Sequence, residues 1–337
     1  MQKVIEMVIK YSKKYEEEWD NLVLNDSING NFLQTRNFLN YHEEGKFNDY
    51  SLLFFKGEKL AAVLPGNEVE NGQVLLSHQG STFGGLVIRK SFASTTNYNW
   101  IFEEMMEHFR ERNYEKVELR MPNWLYTSDD RRNELLDYYF HLNGFKVQTE
   151  VGFYIDLTQL QDDYVQNFDQ LKRRKLKKAY KYNLQFRQLE TDDEIKAFYD
   201  VLADNMLKFN IKPLHLCDDL LDFKNNRLTD IVSFYGVYYE QELIAGSMVF
   251  DFCSKKVFHT QYLASRHNYL AVCPNEFLYT NLIETAREQG YRFISFGTAT
   301  LEHGEVYNEN LGIYKEGFGT DTYVNKTYIR NFRNFQE

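Results

Sequence analysis

Val257-Phe258-His259-Thr260-Gln261-Tyr262-Leu263 opens the stretch, running on to Gly319, whose reading decides the fold. Aromatic and β-branched residues bracket polar ones at alternate positions, which is the period of a strand. His259 and Gln261 share a face that otherwise carries Val257 and Leu263, and a polar pair there is costly to bury unless something polar meets it. Pro274 then marks a helix start and Gly290 its stop, with Leu278, Leu282 and Ala286 recurring every fourth residue between them. Tyr291 to Gly297 reads as a second strand, and two strands joined by a helix are expected side by side and parallel. From Glu302 through Asn310 to Gly319 the chain reads as an irregular, glycine-dotted polar loop. Loops hung on strand ends are where sites are usually built.

Working outward, the first half carries the same order of elements. A strand is expected over Lys3 to Ile9, helices over Tyr15 to Leu24 and Arg36 to Glu43, and a hairpin over Asp49 to Pro65 with its turn at Lys56-Gly57-Glu58. A glycine-rich loop, Ser77 to Gly85, a helix over 99–112 and a strand over Lys116 to Arg120 follow, then a further hairpin from Gly144 to Leu157. The residues repeat as well as the elements. Phe54 to Ala62 aligns with Tyr238 to Gly246, and Ile101, Met105 and Phe109 align with Leu278, Leu282 and Ala286. Shared turn and shared helical face together point to a tandem duplication. The expected fold class is α/β with a mixed sheet (α+β), built as residues 1–158, a basic linker with the first strand of the second copy over 159–189, and residues 190–337.

Composition narrows the function. At 337 residues the chain suits two domains, and 43% hydrophobic and 16% aromatic content supplies packed cores, which excludes disorder. A formal net charge of −10 disfavours general nucleic-acid binding. Cys217, Cys253 and Cys273 form no CxxC pair, so free thiols in a reducing compartment and no zinc or other metal are expected. No apolar run approaches the ~20 residues of a membrane span, and a cytoplasmic location is expected. Against the acidic whole stands Asp169 to Lys181, in which Arg173, Arg174, Lys177, Lys178 and Lys181 share one helical face while Phe168, Leu171, Leu176 and Ala179 lie mostly on the other. Such a stripe is either a solvated face or a binding site for phosphates, in CoA, a nucleotide-sugar or RNA. Thr191 to Glu194 is a capping box that starts the next helix.

With these residues in place a family resemblance emerges. His259-Thr260-Gln261-Tyr262, Phe296-Gly297, Glu302, Gly304, Leu311 and Lys315-Glu316-Gly317-Phe318-Gly319 resemble the GNAT-fold acyltransferases related to the Fem peptidoglycan aminoacyltransferases. Phe32 to Arg36, Tyr41-His42, Asp49 to Leu52 and the Ser77 to Gly85 loop resemble the N-terminal pattern of the same family. The resemblance implies two tandem GNAT-like domains (the acyl-CoA N-acyltransferase fold) and an acyltransferase, of a kind that often accompanies surface-polysaccharide biosynthesis. It implies acyl-CoA, acetyl-CoA in the first instance, as donor and an amine or hydroxyl of a sugar-nucleotide or similar polar metabolite as acceptor. The family's phosphate loop maps onto Arg266-His267-Asn268-Tyr269-Leu270-Ala271, with Arg266, Ala271 and Asn275 as donor-binding residues, but Tyr269 stands where glycine would admit a phosphate. Two alternatives follow: a Fem-like transferase using aminoacyl-tRNA on a cell-wall precursor, and a non-catalytic sugar-nucleotide or protein-binding scaffold.

Direct acyl transfer needs a base, donors for the developing oxyanion and a clamp for the acceptor. The candidates for catalysis are Glu302, Lys315, His259 and His215. Gln261, Tyr262, His78 and Asn310 are the candidates for holding the acceptor, Gln261 by orienting it. Cys217 and Cys273 each begin an expected helix, where a thiolate is favoured, yet no base stands at a spacing that argues for a covalent intermediate.

Overall fold

The computed structural model describes residues 6–128, 134–207 and 211–332. The chain divides into two compact units, residues 1–150 with 324–337, and residues 151–323.

In the first unit, the strands Glu6–Lys10, Leu52–Lys56, Lys59–Leu64 and Val87–Ile88 form an antiparallel sheet in that order. Residues 3–5 of the expected first strand lie outside the described residues. The hairpin is sharp because a two-residue turn, Gly57-Glu58, lets Lys56 pair directly with Lys59. The helix Glu16–Asn25 buries Trp19, Leu22 and Val23, the apolar side read from the sequence, against Leu53, Leu60 and Val63 of that sheet. The second expected helix is a single turn, Arg36–Leu39, because the buried Arg36 side chain is held by Asp49 at 2.6 Å and Ser51 at 3.1 Å and the chain then turns into a loop. A second group of strands runs from the chain's last strand through Lys116–Met121, which it pairs over Lys326–Asn331, to Val74–Leu76, parallel to Lys116–Glu118. The helix Thr95–Glu111 covers the sheets with Ile101, Met105 and Phe109, each fully buried.

The second unit is built on a mixed sheet. Its strands run in the order Gln185–Gln188, Val232–Tyr239, Glu242–Phe252, Val257–Ser265, Phe293–Thr298, and the Val151–Asp156 part of the strand Lys146–Asp156. The pair joined by the helix Pro274–Glu288 is parallel, as the crossover requires, and all other neighbours are antiparallel. Leu278, Leu282 and Ala286 are fully buried under that helix. The capping box forms: Thr191 N–H donates to the Glu194 carboxylate at 3.0 Å, and Glu194 N–H donates to the Thr191 hydroxyl at 3.3 Å.

Two further sequence expectations are corrected. No hairpin follows Gly144; the helix Glu134–Leu142 turns at Gly144, φ +71°, directly into one long strand, Lys146–Asp156. The stretch from Glu302 to Gly319 is not irregular throughout. It holds a small hairpin, Thr300–Leu301 with Val306–Tyr307, and a helix, Glu309–Glu316, capped by Asn308, whose side chain accepts from Leu311 N–H at 3.1 Å. The basic helix Gln170–Ala179 keeps its expected facing, with Arg173, Arg174, Lys177, Lys178 and Lys181 exposed and Phe168, Leu176 and Ala179 buried, except that Leu171 is exposed and Lys172 buried. The cause is electrostatic. Lys172 Nζ lies 3.3 Å from the buried Glu276 carboxylate and 3.2 Å from the centre of the Tyr314 ring, partners that offset part of the cost of burial, which still holds its amine down at about 8.

Candidate active site

The cleft in the second unit comes from a strand pair that cannot stay together. Val257–Ser265 and Phe293–Thr298 pair only over Val257 to His259 and Phe293 to Ser295, then part. Each strand carries an extra residue near the parting point. The register against Glu242–Phe252 slips between Met248 and Val249, leaving Gln261 unmatched, and the register against Val151–Asp156 slips between Ser295 and Gly297, leaving Phe296 unmatched. A bulge bends its strand and re-aims the bulged side chain. The result is a cavity of about 370 Å³ lined by Thr260, Gln261, Leu263, Ala264 and Ser265 of one strand and Phe296 of the other. Asn275 and Tyr279 from the helix Pro274–Glu288, Asn205 from the helix Asp192–Leu207, and Leu311, Tyr314 and Lys315 from the helix Glu309–Glu316 complete it.

Lys315 is the charged group of this cleft. It is 5% exposed, its Nζ donates to the Thr298 carbonyl at 2.7 Å, and burial pushes its amine down to about 7. Two further polar atoms in the lining are buried with no hydrogen-bond partner, the Tyr314 hydroxyl and Asn275 Oδ1. Buried polar atoms are normally paired, so an orphaned donor and an orphaned acceptor on two residues of one lining stand out. Tyr279 forms the apolar floor, stacked on Phe296 with ring centres 4.5 Å apart.

His259 stands behind this wall, with Nδ1 3.1 Å from the Ser295 hydroxyl, itself 3.3 Å from the Tyr323 hydroxyl. Burial, with a smaller push from Lys315, holds its imidazole down at about 4, so the ring is neutral near pH 7. Gly297, at φ +72°, lies beside both side chains: a Cβ there would be in ordinary contact, 3.8 Å from His259 Cε1 and 3.9 Å from Lys315 Nζ. Only glycine takes that backbone conformation without strain.

The remaining sequence candidates lie apart from the cleft. His215 is buried, its Nδ1 2.7 Å from the Tyr262 hydroxyl and its ring edge-on to Tyr262 and Phe223; neither His215 nor Tyr262 lines the cavity. Burial pushes the Tyr262 hydroxyl up to about 12. Glu302 sits exposed at the tip of the Thr300–Tyr307 hairpin at φ +50°, and Asn310 is exposed in the first turn of the helix Glu309–Glu316. His78 belongs to the first unit, buried, with Nε2 3.8 Å from the Asp49 carboxylate and its imidazole pushed down to about 4 by burial. Sequence reasoning thus finds Gln261, Asn275 and Lys315 and misses Tyr314, Tyr279, Thr260 and Asn205. The signal for Tyr314 was a helical register: Leu311, Tyr314 and Lys315 are three and four apart, one helix face, in a stretch whose glycines argue for a loop.

The fit of a pyrophosphate-bearing donor can be tested at the start of the helix Pro274–Glu288. Arg266 is turned away from it, its Nε bonded to the Leu243 carbonyl at 3.1 Å and 3.4 Å from the Glu242 carboxylate. Tyr269 is held by the same Glu242, its hydroxyl donating at 2.6 Å. Ala271 is exposed in a short helical turn, His267–Val272, that contains no glycine. The first turn of the helix already carries a carboxylate, Glu276, held by Lys172 at 3.3 Å and Lys175 at 3.2 Å. These residues do not form a diphosphate cradle, whereas the cavity beside Lys315 does offer polar atoms to a small acyl group.

Residues 168–307 match the family described as an acetyltransferase (GNAT) domain. No curated protein matches the chain. Among solved structures the chain is similar to the crystal structure of FemX, at 11% identity over 97% of both chains with a TM-score of 0.66. It is similar to the C-terminal domain (DUF2156) of a putative lysylphosphatidylglycerol synthetase from Agrobacterium fabrum, at 12% identity over 95% of this chain and 92% of that one, TM-score 0.61. A tandem GNAT protein from the clavulanic acid biosynthesis pathway matches at 7% identity over 97% and 98% of the two chains, TM-score 0.56. At these identities the likeness is one of fold.

Proposed function

Residues 168–307 form a GNAT domain within a tandem GNAT-like chain, and from that premise we propose that the cleft between Val257–Ser265 and Phe293–Thr298 transfers an acyl group to an amine or hydroxyl acceptor. The observation that carries the reading is Lys315, a buried amine without a carboxylate partner among the described residues, beside the orphaned Tyr314 hydroxyl and Asn275 Oδ1. In attack on an acyl carbonyl, negative charge grows on the carbonyl oxygen. Lys315 as ammonium and the Tyr314 O–H are donors for that charge, in a site where low exposure strengthens them. Gln261 and Asn275 orient the acceptor. His259, behind the wall of the cleft and held down at about 4 by burial, neither reaches the acceptor directly nor makes a strong base near pH 7. Glu302, His215, His78 and Asn310 carry no step.

Acyl-CoA supplies a reactive thioester to such a site, and a polar metabolite such as a sugar-nucleotide suits the polar lining. A second reading, transfer from aminoacyl-tRNA, is favoured by the tethering of Arg266 and Tyr269 to Glu242, which takes both residues from the diphosphate loop. Calorimetry decides between the donors. Acetyl-CoA binding that Tyr314→Phe weakens supports the first reading; no CoA binding together with tight binding of charged tRNA supports the second. Binding of neither, or acetyl-CoA binding indifferent to Tyr314→Phe, overturns the assignment of the cleft.

A further inference from the structure

Leu171 and Lys172 stand the wrong way round for stability. Leu171 is 45% exposed, whereas Lys172, its neighbour in the basic helix Gln170–Ala179, is 2% exposed. A buried ammonium is costly, and an apolar side chain of similar volume in its place is often as stable or more so. The Glu276 carboxylate that Lys172 contacts is shared with Lys175, whose Nζ lies 3.2 Å from the same oxygen. One carboxylate cannot neutralise both ammonium groups, so packing and charge pairing alone do not account for a lysine here.

The socket is nevertheless shaped for this side chain. Lys172 Nζ lies 3.2 Å from the centre of the Tyr314 ring and 4.6 Å from that of Phe318. Its stem runs past Gly317, where a Cβ would lie 3.0 Å from Lys172 Cε, 3.1 Å from Lys172 Cγ and 2.6 Å from the Asp169 carboxylate. Gly317 has an ordinary helical φ of −58°, so it is the close approach and not the backbone that calls for glycine. Asp169 caps the basic helix by accepting from Lys172 N–H at 2.6 Å, and its own N–H donates to the Gly317 carbonyl at 2.8 Å. The start of the basic helix is thereby bonded to the end of the helix Glu309–Glu316, and the ammonium is brought to Tyr314, a residue of the cleft lining.

Tyr314 needs an anchor. Its hydroxyl is buried without a hydrogen-bond partner among the described residues, so nothing at its polar end fixes the ring. A cation on a ring face is an attraction with a preferred geometry, and it strengthens when water is excluded. We propose that Lys172 is a positioning residue of the cleft, holding the Tyr314 ring by its face so that the hydroxyl keeps one place for the donor's carbonyl. The inference rests on the reading of the cleft as an acyl-transfer site. Lys172 is not in the lining itself and acts through Tyr314. When Lys172 is replaced, Lys175 still holds Glu276, so the neighbouring Asn275 keeps its place.

The test is a double-mutant cycle on the full chain, read by calorimetry with acetyl-CoA and with charged tRNA, whichever binds serving as the probe. Tyr314→Phe should weaken binding about fivefold, the worth of one hydrogen bond. Lys172→Met, which keeps the volume, should weaken it at least about threefold through the lost hold on the ring. In the Tyr314→Phe background Lys172→Met should add less than about twofold, where independent sites would multiply to roughly 15-fold in total. Thermal melts check that each variant is folded, and Lys172→Gln takes the place of Lys172→Met if that one is not. Multiplied effects, or wild-type affinity in the Lys172 variant beside weakened Tyr314→Phe, overturn the positioning role and leave the cleft standing. Wild-type affinity in Tyr314→Phe, or binding of neither probe, overturns the cleft and this inference with it.

Discussion

Lys315 is a residue whose cost and use are the same property. Its amine is pushed down to about 7 by burial, so the folded protein releases a proton that the unfolded chain keeps up to its ordinary pKa near 10.5. A base depressed on folding binds fewer protons folded than unfolded between those values. Stability therefore rises as pH climbs from about 7 toward 10.5, and the penalty is full below 7. Lys315→Met should accordingly raise stability by ~1–4 kcal/mol at pH 6, with the gain vanishing by pH 10.5, when measured by urea melts at both values. An unchanged or lowered stability at pH 6 would mean that the ammonium is better solvated than its burial states. Lys315 could be found in the sequence because it lies in a motif. Tyr314 shared its helical register, but that its hydroxyl is orphaned could not be read, since that is a property of neighbours brought from other elements.

At the scale of elements, hairpin tips recur. Glu70-Asn71-Gly72 and Glu302-His303-Gly304 each run through three consecutive positive φ angles, 51°, 58° and 85°, then 50°, 55° and 101°, inside four-residue turns closed by Val69 with Val74 and Leu301 with Val306. Cys253-Ser254-Lys255 does the same at 58°, 52° and 69°, closed by Phe252 with Val257, but with lysine in the glycine's place. The left-handed conformation costs a side chain ~1–2 kcal/mol. Gly72→Ala should cost roughly 1 kcal/mol by backbone strain alone, since the added Cβ meets nothing closer than 3.7 Å. Lys255→Gly should stabilise by ~0.5 kcal/mol once the looser unfolded chain is allowed for. Thermal melts check the pair, and equal effects of one sign would contradict it. These tips were hidden in the sequence because glycine marks only two of the three. The duplicated hairpin was legible, yet the alignment sets Gly57 against Gln241, whereas the turns Gly57-Glu58 and Glu240-Gln241 set it against Glu240. The helix–turn–strand passage at Gly144 read as a hairpin because a glycine ends a helix and opens a hairpin with equal ease.

At the scale of the whole molecule, the order of elements was legible and their closure was not. We keep residues 1–158 and 190–337 as a proposal for two duplicated copies. In the folded chain Val151–Asp156 completes the second unit's sheet, and Lys326–Asn331 completes the first unit's, where Tyr328 stacks on Phe140 at 4.3 Å and bonds Asp137 at 2.6 Å. Nothing in local sequence says which sheet a final strand joins, because pairing is decided by partners far along the chain. Ending the chain at Tyr323 should therefore strip amide protection from Lys116–Met121 and Glu134–Leu142 while Val257–Ser265 keeps its own. Hydrogen exchange that shows the reverse would contradict these units. The central claim, that the cleft beside Lys315 performs acyl transfer, is tested most directly by the single-turnover rate of transfer from the donor that calorimetry selects, in Lys315→Met and Glu302→Gln. The account predicts a fall of ~10²–10³ for Lys315→Met, the loss of one electrostatic donor, and a near-wild-type rate for Glu302→Gln at its exposed hairpin tip. Wild-type turnover in Lys315→Met, or an equal fall in both variants, would contradict it.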